Sequence, residues 1–173
     1  MTRKIILTWN SKICFEMFIC VYNGFNTSQK IMNFYENKLI YKSQSFYTKY
    51  LKKLVNEKIL IKETKFSECE YKINWHELFL LFLNLSIKFI PLKTYVQKKY
   101  VTSNSENFNL SVNKFKKIFD DVYHLILDKE KDLLNQMTLF NFFLMIKDSF
   151  FIIGLFGLKK DLSVLSDLSV LSD

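Results

Sequence analysis

The chain has 173 residues and a formal net charge of +8, and 49% of its residues are hydrophobic. This length suits one medium domain or two small ones, and only 3 glycines and 1 proline argue against a turn-rich β-sandwich or barrel. A basic chain favours nucleic acid, an anionic membrane surface or an acidic partner. Since Arg3 is the one arginine, the excess is of lysine, and an A/T-rich genome alone would also produce that bias.

The cysteines, Cys14, Cys20 and Cys69, are odd in number and have no CxxC spacing. The N-terminus shows no secretory hydrophobic segment. We therefore expect reduced thiols, mostly buried as small hydrophobic groups, in a cytoplasmic protein.

Residues 11–36 predict two short helices. The first starts at a cap, Asn10 or Ser11, and stops at Asn23-Gly24, while the second starts at Asn26 or Thr27. Apolar residues recur at helical spacing and mark the inner faces: Ile13, Met17, Phe18 and Val21, then Ile31, Phe34 and Tyr35.

The next segment changes its period. A third helix is predicted from about Ser45 to Glu57, with one apolar stripe made by Tyr47, Leu51 and Leu54. Beyond it the apolar residues alternate, over 59–62 and again over 71–73, and the polar stretch 62–68 between them has the right length for a hairpin tip. This pattern predicts a two-stranded antiparallel ribbon that must pack on the preceding helices.

The remaining residues predict more helices. Asn74 and Glu77 have capping-box spacing, which introduces a helix from Trp75 to about Phe89, closed by Pro91. Residues 101–111 have the composition of a linker. Helical spacing then returns in an apolar series: Phe115, Ile118, Phe119, Val122, Leu125 and Ile126. A last apolar helix covers about 138–156, and the tandem hexamer LSVLSD over 162–173 receives no function.

Helix, helix, basic helix, ribbon and helix within about 75 residues resemble the winged helix-turn-helix domain of prokaryotic transcription regulators. The residues that carry the resemblance are "SQSFYTKYLKKLVNEKILIK", with Tyr47, Leu51, Leu54 and the pair Ile59-Leu60 in the family's frame. The resemblance covers roughly 12–75. It departs from the family at Lys58, where a glycine usually takes the left-handed conformation that ends the recognition helix.

The distribution of charge supports the resemblance. Between Lys38 and Lys65 there are 8 lysines and 2 glutamates, a net charge of +6 within 28 residues. Genome bias would spread the lysines more evenly, whereas a recognition helix needs cations that release counterions from phosphates. The alternative explanation for these lysines is that they form an ordinary solvent-exposed helix face with no binding role.

The resemblance implies roles for individual residues. Gln44, Ser45, Thr48, Lys49 and Lys52 would face the major groove, where Gln44 reads adenine and Thr48 offers its methyl to thymine. Without arginine here, we expect an A/T-rich site. Lys62 and Lys65 on the wing, with Thr27 and Gln29, would hold the backbone. The full set of expected DNA-binding residues is Thr27, Gln29, Lys42, Ser43, Gln44, Ser45, Thr48, Lys49, Lys52, Lys53, Lys62 and Lys65.

Other chemistry finds little support in the sequence. Asp120, His124 and Asp128 share a helix face but spread over too many turns to bind one metal ion, and His76 stands alone. No glycine-rich phosphate loop and no nucleophilic triad stands out. We therefore expect no enzyme activity, no cofactor and no metal.

The sequence thus predicts a mainly α protein with a small β-hairpin, an α+β chain in which C-terminal helices follow an N-terminal winged helix-turn-helix. The expected segments are a DNA-binding domain (1–75), a connecting helix (76–100), a linker (101–111), a helical dimerisation or effector region (112–158) and a tail (159–173). Phe-rich faces over 114–127 and 138–156 would build a homodimer for two half-sites. The expected function is sequence-specific transcription regulation on double-stranded DNA, with any effector unknown.

Two alternatives come from other functional classes. The helix at 138–156, beside Lys159-Lys160, could anchor the protein at a membrane, although Lys147 and Asp148 near its middle cost about 2.5–3.5 kcal/mol each on insertion scales. The winged helix could instead serve protein–protein assembly.

Overall fold

A computed structural model describes the backbone of residues 8–86 and 106–152. These residues are mainly helical with one small antiparallel sheet of two strands, which confirms the predicted α+β class. They divide into two compact units. The first takes the residues up to Leu78 together with Lys131–Phe142, and the second takes Phe79–Glu130 together with the residues from Phe143 onward. The predicted helical region 112–158 therefore contributes to both units.

Three helices begin the first unit: α1, Lys12–Tyr22; α2, Ser28–Glu36; and α3, Gln44–Asn56. Each starts at a hydroxyl residue, Ser11, Thr27 or Ser43, whose side chain accepts a hydrogen bond from the backbone N–H three residues later. This N-cap satisfies one of the donors that a helix leaves unpaired at its start. The open choices at the first two caps are thereby decided for Ser11 and Thr27.

All three helices end at a residue with a left-handed backbone. These residues are Gly24 (φ 96°), Leu39 (φ 61°) and Lys58 (φ 61°). The N–H of the following residue bonds the carbonyl five positions back, in the pairs Phe25–Cys20, Ile40–Tyr35 and Ile59–Leu54. This is the Schellman arrangement. The chain therefore keeps the left-handed exit at Lys58 and tolerates a side chain there.

The ribbon follows at once as β1, Leu60–Lys65, and β2, Glu68–Ile73. Lys65 pairs with Glu68, so the turn holds only Phe66 and Ser67. The predicted tip over 62–68 is wrong, because its polar residues continue the exposed strands. Phe66 (φ 49°) and Ser67 (φ 65°) are both left-handed, as a type I′ turn requires, and a side chain there costs about 1–2 kcal/mol per residue.

The core of the first unit lies between the helices and the ribbon. α1 packs against α3 and β2, and α3 packs against α2 and β1. A backbone bond of 2.8 Å from Tyr71 N–H to Asn26 O ties β2 to the start of α2. The predicted stripe of α3 is confirmed as buried, but on α1 Phe15 is buried while Ile13 is only half-buried. Ile13 therefore lies at the margin of the face that α1 turns inward.

Helix α4, Trp75–Ser86, begins where predicted. The side chain of Asn74 accepts a bond of 3.4 Å from Glu77 N–H, as a cap does. The predicted end at Phe89 and the closing Pro91 lie outside the described residues. Residues 75–78 belong to the first unit, and the rest of α4 belongs to the second.

The second unit is built around α5, Glu106–Lys129. This helix begins inside the predicted linker, so residues 106–111 are helical, and only 101–105 of that linker lie outside the described residues. Asn109 and Leu110 in this start are exposed, whereas Ser111 is buried. Tyr123 is buried, whereas Leu125 is exposed and Val122 half-buried, against the predicted stripe.

Phenylalanines fill the core of this second unit. Phe115 lies 5.6 Å from Phe79, 5.1 Å from Phe82 and 6.2 Å from Phe143, measured between ring centroids. Such ring pairs stabilise a core beyond the area they bury. Three of the Phe side chains that were expected to form a dimer face are instead buried in the core of a single chain: Phe115, Phe119 and Phe143.

Two further helices complete the described chain, α6, Lys131–Leu134, and α7, Leu139–Ile152. Thr138 caps α7 by accepting from Asn141 N–H at 3.2 Å. The predicted continuation to Phe156 and the tail 159–173 lie outside the described residues. Within the described ranges, no helix is long and apolar enough to cross a membrane.

Candidate nucleic-acid interface

Helix α3 presents two opposite faces. Tyr47, Leu51 and Leu54 are buried, and they fix the rotation of the helix on the core. The opposite side carries three exposed lysines, Lys49, Lys52 and Lys53, which we call the lysine face. An open depression runs along this side and is lined by Gln44, Ser45, Thr48, Lys49, Lys52, Lys53 and Asn56. The predicted major-groove residues therefore lie together on one accessible surface.

The surroundings of the lysine face are strongly basic. From Lys38 to Lys58 the chain carries six lysines and one glutamate, a net charge of +5, and α3 itself contains no acidic residue. Lys49 and Lys53 lie 5.7 and 5.0 Å from the ring of Tyr50, and Lys42 lies 5.5 Å from the ring of Phe46. Aromatic rings attract cations without neutralising their charge. The rings of Tyr50 and Phe46 therefore help to position these lysines without pairing them with a carboxylate.

The N-termini of α2 and α3 lie beside each other. Gln44 Nε2 donates a hydrogen bond of 2.9 Å to Ser28 Oγ, which joins the first residues of the two helices. Helix N-termini carry partial positive charge and unpaired N–H groups, so they attract phosphate. This junction adjoins the start of the lysine face and extends its positive potential.

Some of the residues predicted to contact DNA already form hydrogen bonds within the chain. The Gln44 amide is engaged with Ser28, so a two-bond contact to adenine requires that exposed bond to open. The Thr48 hydroxyl donates to Gln44 O at 3.0 Å, which leaves its methyl group for contact with thymine. Gln29 Nε2 donates to Asn33 Oδ1 at 3.0 Å along the exposed side of α2. Ser43 and Ser45 share a hydroxyl contact of 2.9 Å at the start of α3.

Thr27 is a correction to the predicted set. Its side chain is only 3% exposed, and its hydroxyl accepts from Lys30 N–H at 3.1 Å. The residue caps α2 from inside the fold, so its side chain is not placed to bind a phosphate. The sequence could not separate these roles because threonine suits both.

The hairpin differs electrically from α3. From Leu60 to Ile73 it holds three lysines and three glutamates, so its net charge is zero. On its outer face Lys72 Nζ lies 2.9 Å from Glu63, and Lys65 Nζ lies 3.9 Å from both Glu63 and Glu70. The hydrogen bond from Lys72 lowers the pKa of the Glu63 carboxyl, so that face stays zwitterionic near neutral pH.

Lys65 thus has two carboxylates nearby, but both contacts are long and its side chain is exposed, so its expected phosphate contact stays a prediction. Lys62 lies on the other face of the ribbon, because strand side chains alternate and its cross-strand partner is Tyr71. It is exposed. The expected contact of Lys62 with the DNA backbone likewise stays a prediction.

A polar cluster that the sequence did not reveal supports α3 from behind. Tyr35 Oη donates to Glu16 Oε2 at 3.4 Å, and Cys20 Sγ donates to Tyr35 Oη at 3.8 Å. The Tyr35 ring stacks on Tyr47 of α3 at 5.4 Å with an interplanar angle of 7°. Burial raises the pKa of Glu16, raises that of Cys20 to about 11, and raises that of Tyr35 further. These groups therefore stay protonated over a wider pH range, and their role is to support the packing behind α3.

The thiols and the acidic residues suggest no reactive centre. Cys14 and Cys20 are buried, Cys69 is half-buried, and none forms a disulfide. His124 Nε2 lies 3.4 Å from Asp120 on an exposed helix turn, an ordinary surface pair. Over residues 8–86 and 106–152, no group of three metal-ligating side chains comes together.

Comparison with protein-family models, with curated proteins and with solved structures gives no match.

Proposed function

We propose that residues 12–75 form a winged helix-turn-helix domain that binds double-stranded DNA, with α3 in the major groove, and that the protein regulates transcription as a homodimer. The observation that carries the proposal is the lysine face of α3, which is exposed, contains no acid and adjoins the paired N-termini of α2 and α3. An α-helix fits the width of the major groove.

The lysines supply affinity and the neighbouring polar side chains supply selectivity. Each phosphate that a lysine neutralises releases condensed counterions, which makes binding steeply dependent on salt. Thr48 and Gln44, at the N-terminal part of α3, offer a methyl group and an amide to A·T pairs. The chain has no arginine in this region to contact guanine in two places, so the proposed site is A/T-rich.

The proposed dimer surface consists of apolar side chains that the core of the second unit does not cover. In the second unit, Leu110 and Leu125 on α5 and Leu144 and Met145 on α7 are exposed, whereas Phe115, Phe119 and Phe143 are buried. A two-fold dimer needs a self-complementary apolar surface, and each protomer then reads one half-site.

The test is duplex binding by the full chain and by a Lys49→Ala/Lys52→Ala variant, measured by anisotropy on a 30-base-pair A/T-rich duplex over several salt concentrations. We expect weaker binding and a log–log salt slope that is flatter by about 1.8, since each lost phosphate contact removes about 0.9. The matched control is Lys114→Ala/Lys117→Ala, which removes the same charge at the same spacing from exposed positions on α5. Equal slopes for the two double variants would refute the assignment.

One observation favours protein–protein assembly as a second candidate. Leu39, Ile40 and Tyr41 are consecutive and exposed, with Leu39 at 78% and Tyr41 at 70%. Runs of exposed apolar residues commonly mark a binding surface. If the unaltered chain fails to bind duplex at low salt, and Leu39→Ser/Tyr41→Ser abolishes its self-association, this second function replaces the first.

A further inference from the structure

The tip of the hairpin exposes an aromatic ring. Phe66 is fully exposed, although phenylalanine is one of the residues that folded chains most often bury. The ring stands at a two-residue turn between Lys65 and Glu68, at the far end of both strands. Over residues 8–82 and 109–146, whose side-chain exposure the structure describes, no other large hydrophobic side chain is as exposed.

The backbone makes this choice of residue informative. Phe66 and Ser67 are both left-handed, at positions where Asn-Gly or Gly-Gly is favoured. The sequence thus keeps a bulky side chain where the turn itself favours a small one. A strained residue whose side chain gives nothing to its own fold points to a contact outside it.

The charges of the hairpin limit what that contact can be. Its three lysines balance its three glutamates, and two of those lysines lie against carboxylates on the outer face. A neutral hairpin gains little from counterion release. What the tip offers to a nucleic acid is the apolar ring rather than charge.

The length of the hairpin suits the groove next to α3. The ribbon leaves the C-terminal end of α3 through Lys58 and Ile59. A strand of six residues spans roughly 20 Å, and half a helical turn of B-DNA is about 17 Å. With α3 in a major groove, a hairpin extended along the DNA axis would be long enough for its tip to reach the neighbouring minor groove.

We propose that Phe66 inserts between two base pairs in this minor groove and bends the duplex. This inference rests on the proposed function. It adds to the electrostatic contacts of α3 a second, apolar contact between the hairpin tip and the bases. Apolar wedges of this kind unstack one base step and kink DNA by about 20–90°. Flexible pyrimidine–purine steps such as TA open most readily, so the wedge also selects sequence where no base edge is read.

The test measures bending separately from binding. The full chain, Phe66→Ser and Phe66→Trp are added at saturation to a 30-base-pair A/T-rich duplex carrying a donor and an acceptor dye at its ends. The unaltered chain and Phe66→Trp should shorten the end-to-end distance. Phe66→Ser should bind with at most a roughly tenfold loss and leave the duplex straight.

Three outcomes would overturn the inference, and they are distinguishable. Equal bending by Phe66→Ser removes the wedge but leaves the proposed function. Absence of duplex binding by the unaltered chain removes both. If Phe66→Ser leaves the duplex complex unchanged but reduces binding to phosphatidylglycerol vesicles, the ring serves a membrane surface. Lys49→Ala/Lys52→Ala serves as the reference for weakened binding and should still bend DNA at saturating concentration.

Discussion

Replacing Lys58 by glycine tests the backbone argument at the junction between α3 and the hairpin. Lys58 is exposed and left-handed, with φ 61°. Its N–H bonds Val55 O at 3.0 Å, and Ile59 N–H bonds Leu54 O at 2.9 Å. Glycine can make both backbone bonds without the clash between a Cβ atom and the following carbonyl. We expect Lys58→Gly to stabilise the first unit.

The magnitude follows from two opposing terms. Removing the Cβ from a left-handed position recovers about 1–2 kcal/mol, whereas the freer unfolded chain returns about 0.5–1 kcal/mol of that gain. The net gain is about 0.5–1 kcal/mol, and a small domain changes its midpoint by about 4–8 °C per kcal/mol. We therefore expect the midpoint to rise by about 2–8 °C.

The assay is thermal unfolding followed by far-ultraviolet circular dichroism, with urea unfolding as a second measure. Lys58→Ala is the matched control, because it removes the same charge and keeps the Cβ, so its midpoint should not rise. Lys52→Gly, at an exposed position inside α3, should lose about 0.7–1 kcal/mol. Equal midpoints for Lys58→Gly and Lys58→Ala would refute the strain argument.

Two further substitutions test the cluster behind α3. Burial raises the pKa of Glu16, so the folded chain holds that proton to a higher pH than the unfolded chain, and the free energy of unfolding falls as the pH rises from the ordinary pKa of glutamate through the raised pKa. Glu16→Gln should therefore raise the thermal midpoint near pH 7 and leave it unchanged below about pH 3.5. Parallel pH profiles of the midpoint for the variant and the unaltered chain would contradict this. The Tyr47 hydroxyl is buried and has no hydrogen-bond partner within the described residues, so Tyr47→Phe should lie within about 0.5 kcal/mol of the unaltered chain in urea unfolding. Tyr35→Phe loses the hydrogen bonds to Cys20 and Glu16 and should be about 1–2 kcal/mol less stable in the same assay. A loss at Tyr47 equal to that at Tyr35 would mean that its hydroxyl has a partner.

The sequence predicts well where local chemistry decides the structure. The stripe of Tyr47, Leu51 and Leu54 on α3 is buried as expected, because a helix fixes which residues share a face. At Lys58 the sequence left two possibilities, a strained left-handed residue or a different exit from the helix, and the observed φ of 61° decides for the first. Caps remained a choice between neighbours, since asparagine, serine and threonine all serve at that position.

The errors have tertiary causes. Leu125 fits the apolar period of α5 but is exposed, because the partners of that helix cover a narrower strip than the sequence pattern suggests. Residues 106–111 look like a linker because the first turns of a surface helix are polar. The ribbon turn was placed too wide, since Lys65 and Glu68 pair across the strands although both side chains are solvated.

The candidate site was predicted in its position but not in its electrostatics. Counting lysines between Lys38 and Lys65 treated helix and hairpin as one basic surface. Charge becomes a local property only once the register is known: Glu63 pairs with Lys72 and Lys65, so the hairpin is neutral while α3 keeps its lysines. If the protein binds DNA as proposed, α3 would supply the salt-dependent part of the affinity and the hairpin tip an apolar, shape-dependent contact. High salt should therefore weaken α3 binding while leaving the contribution of Phe66 nearly unchanged, so the relative importance of the tip should grow as salt rises.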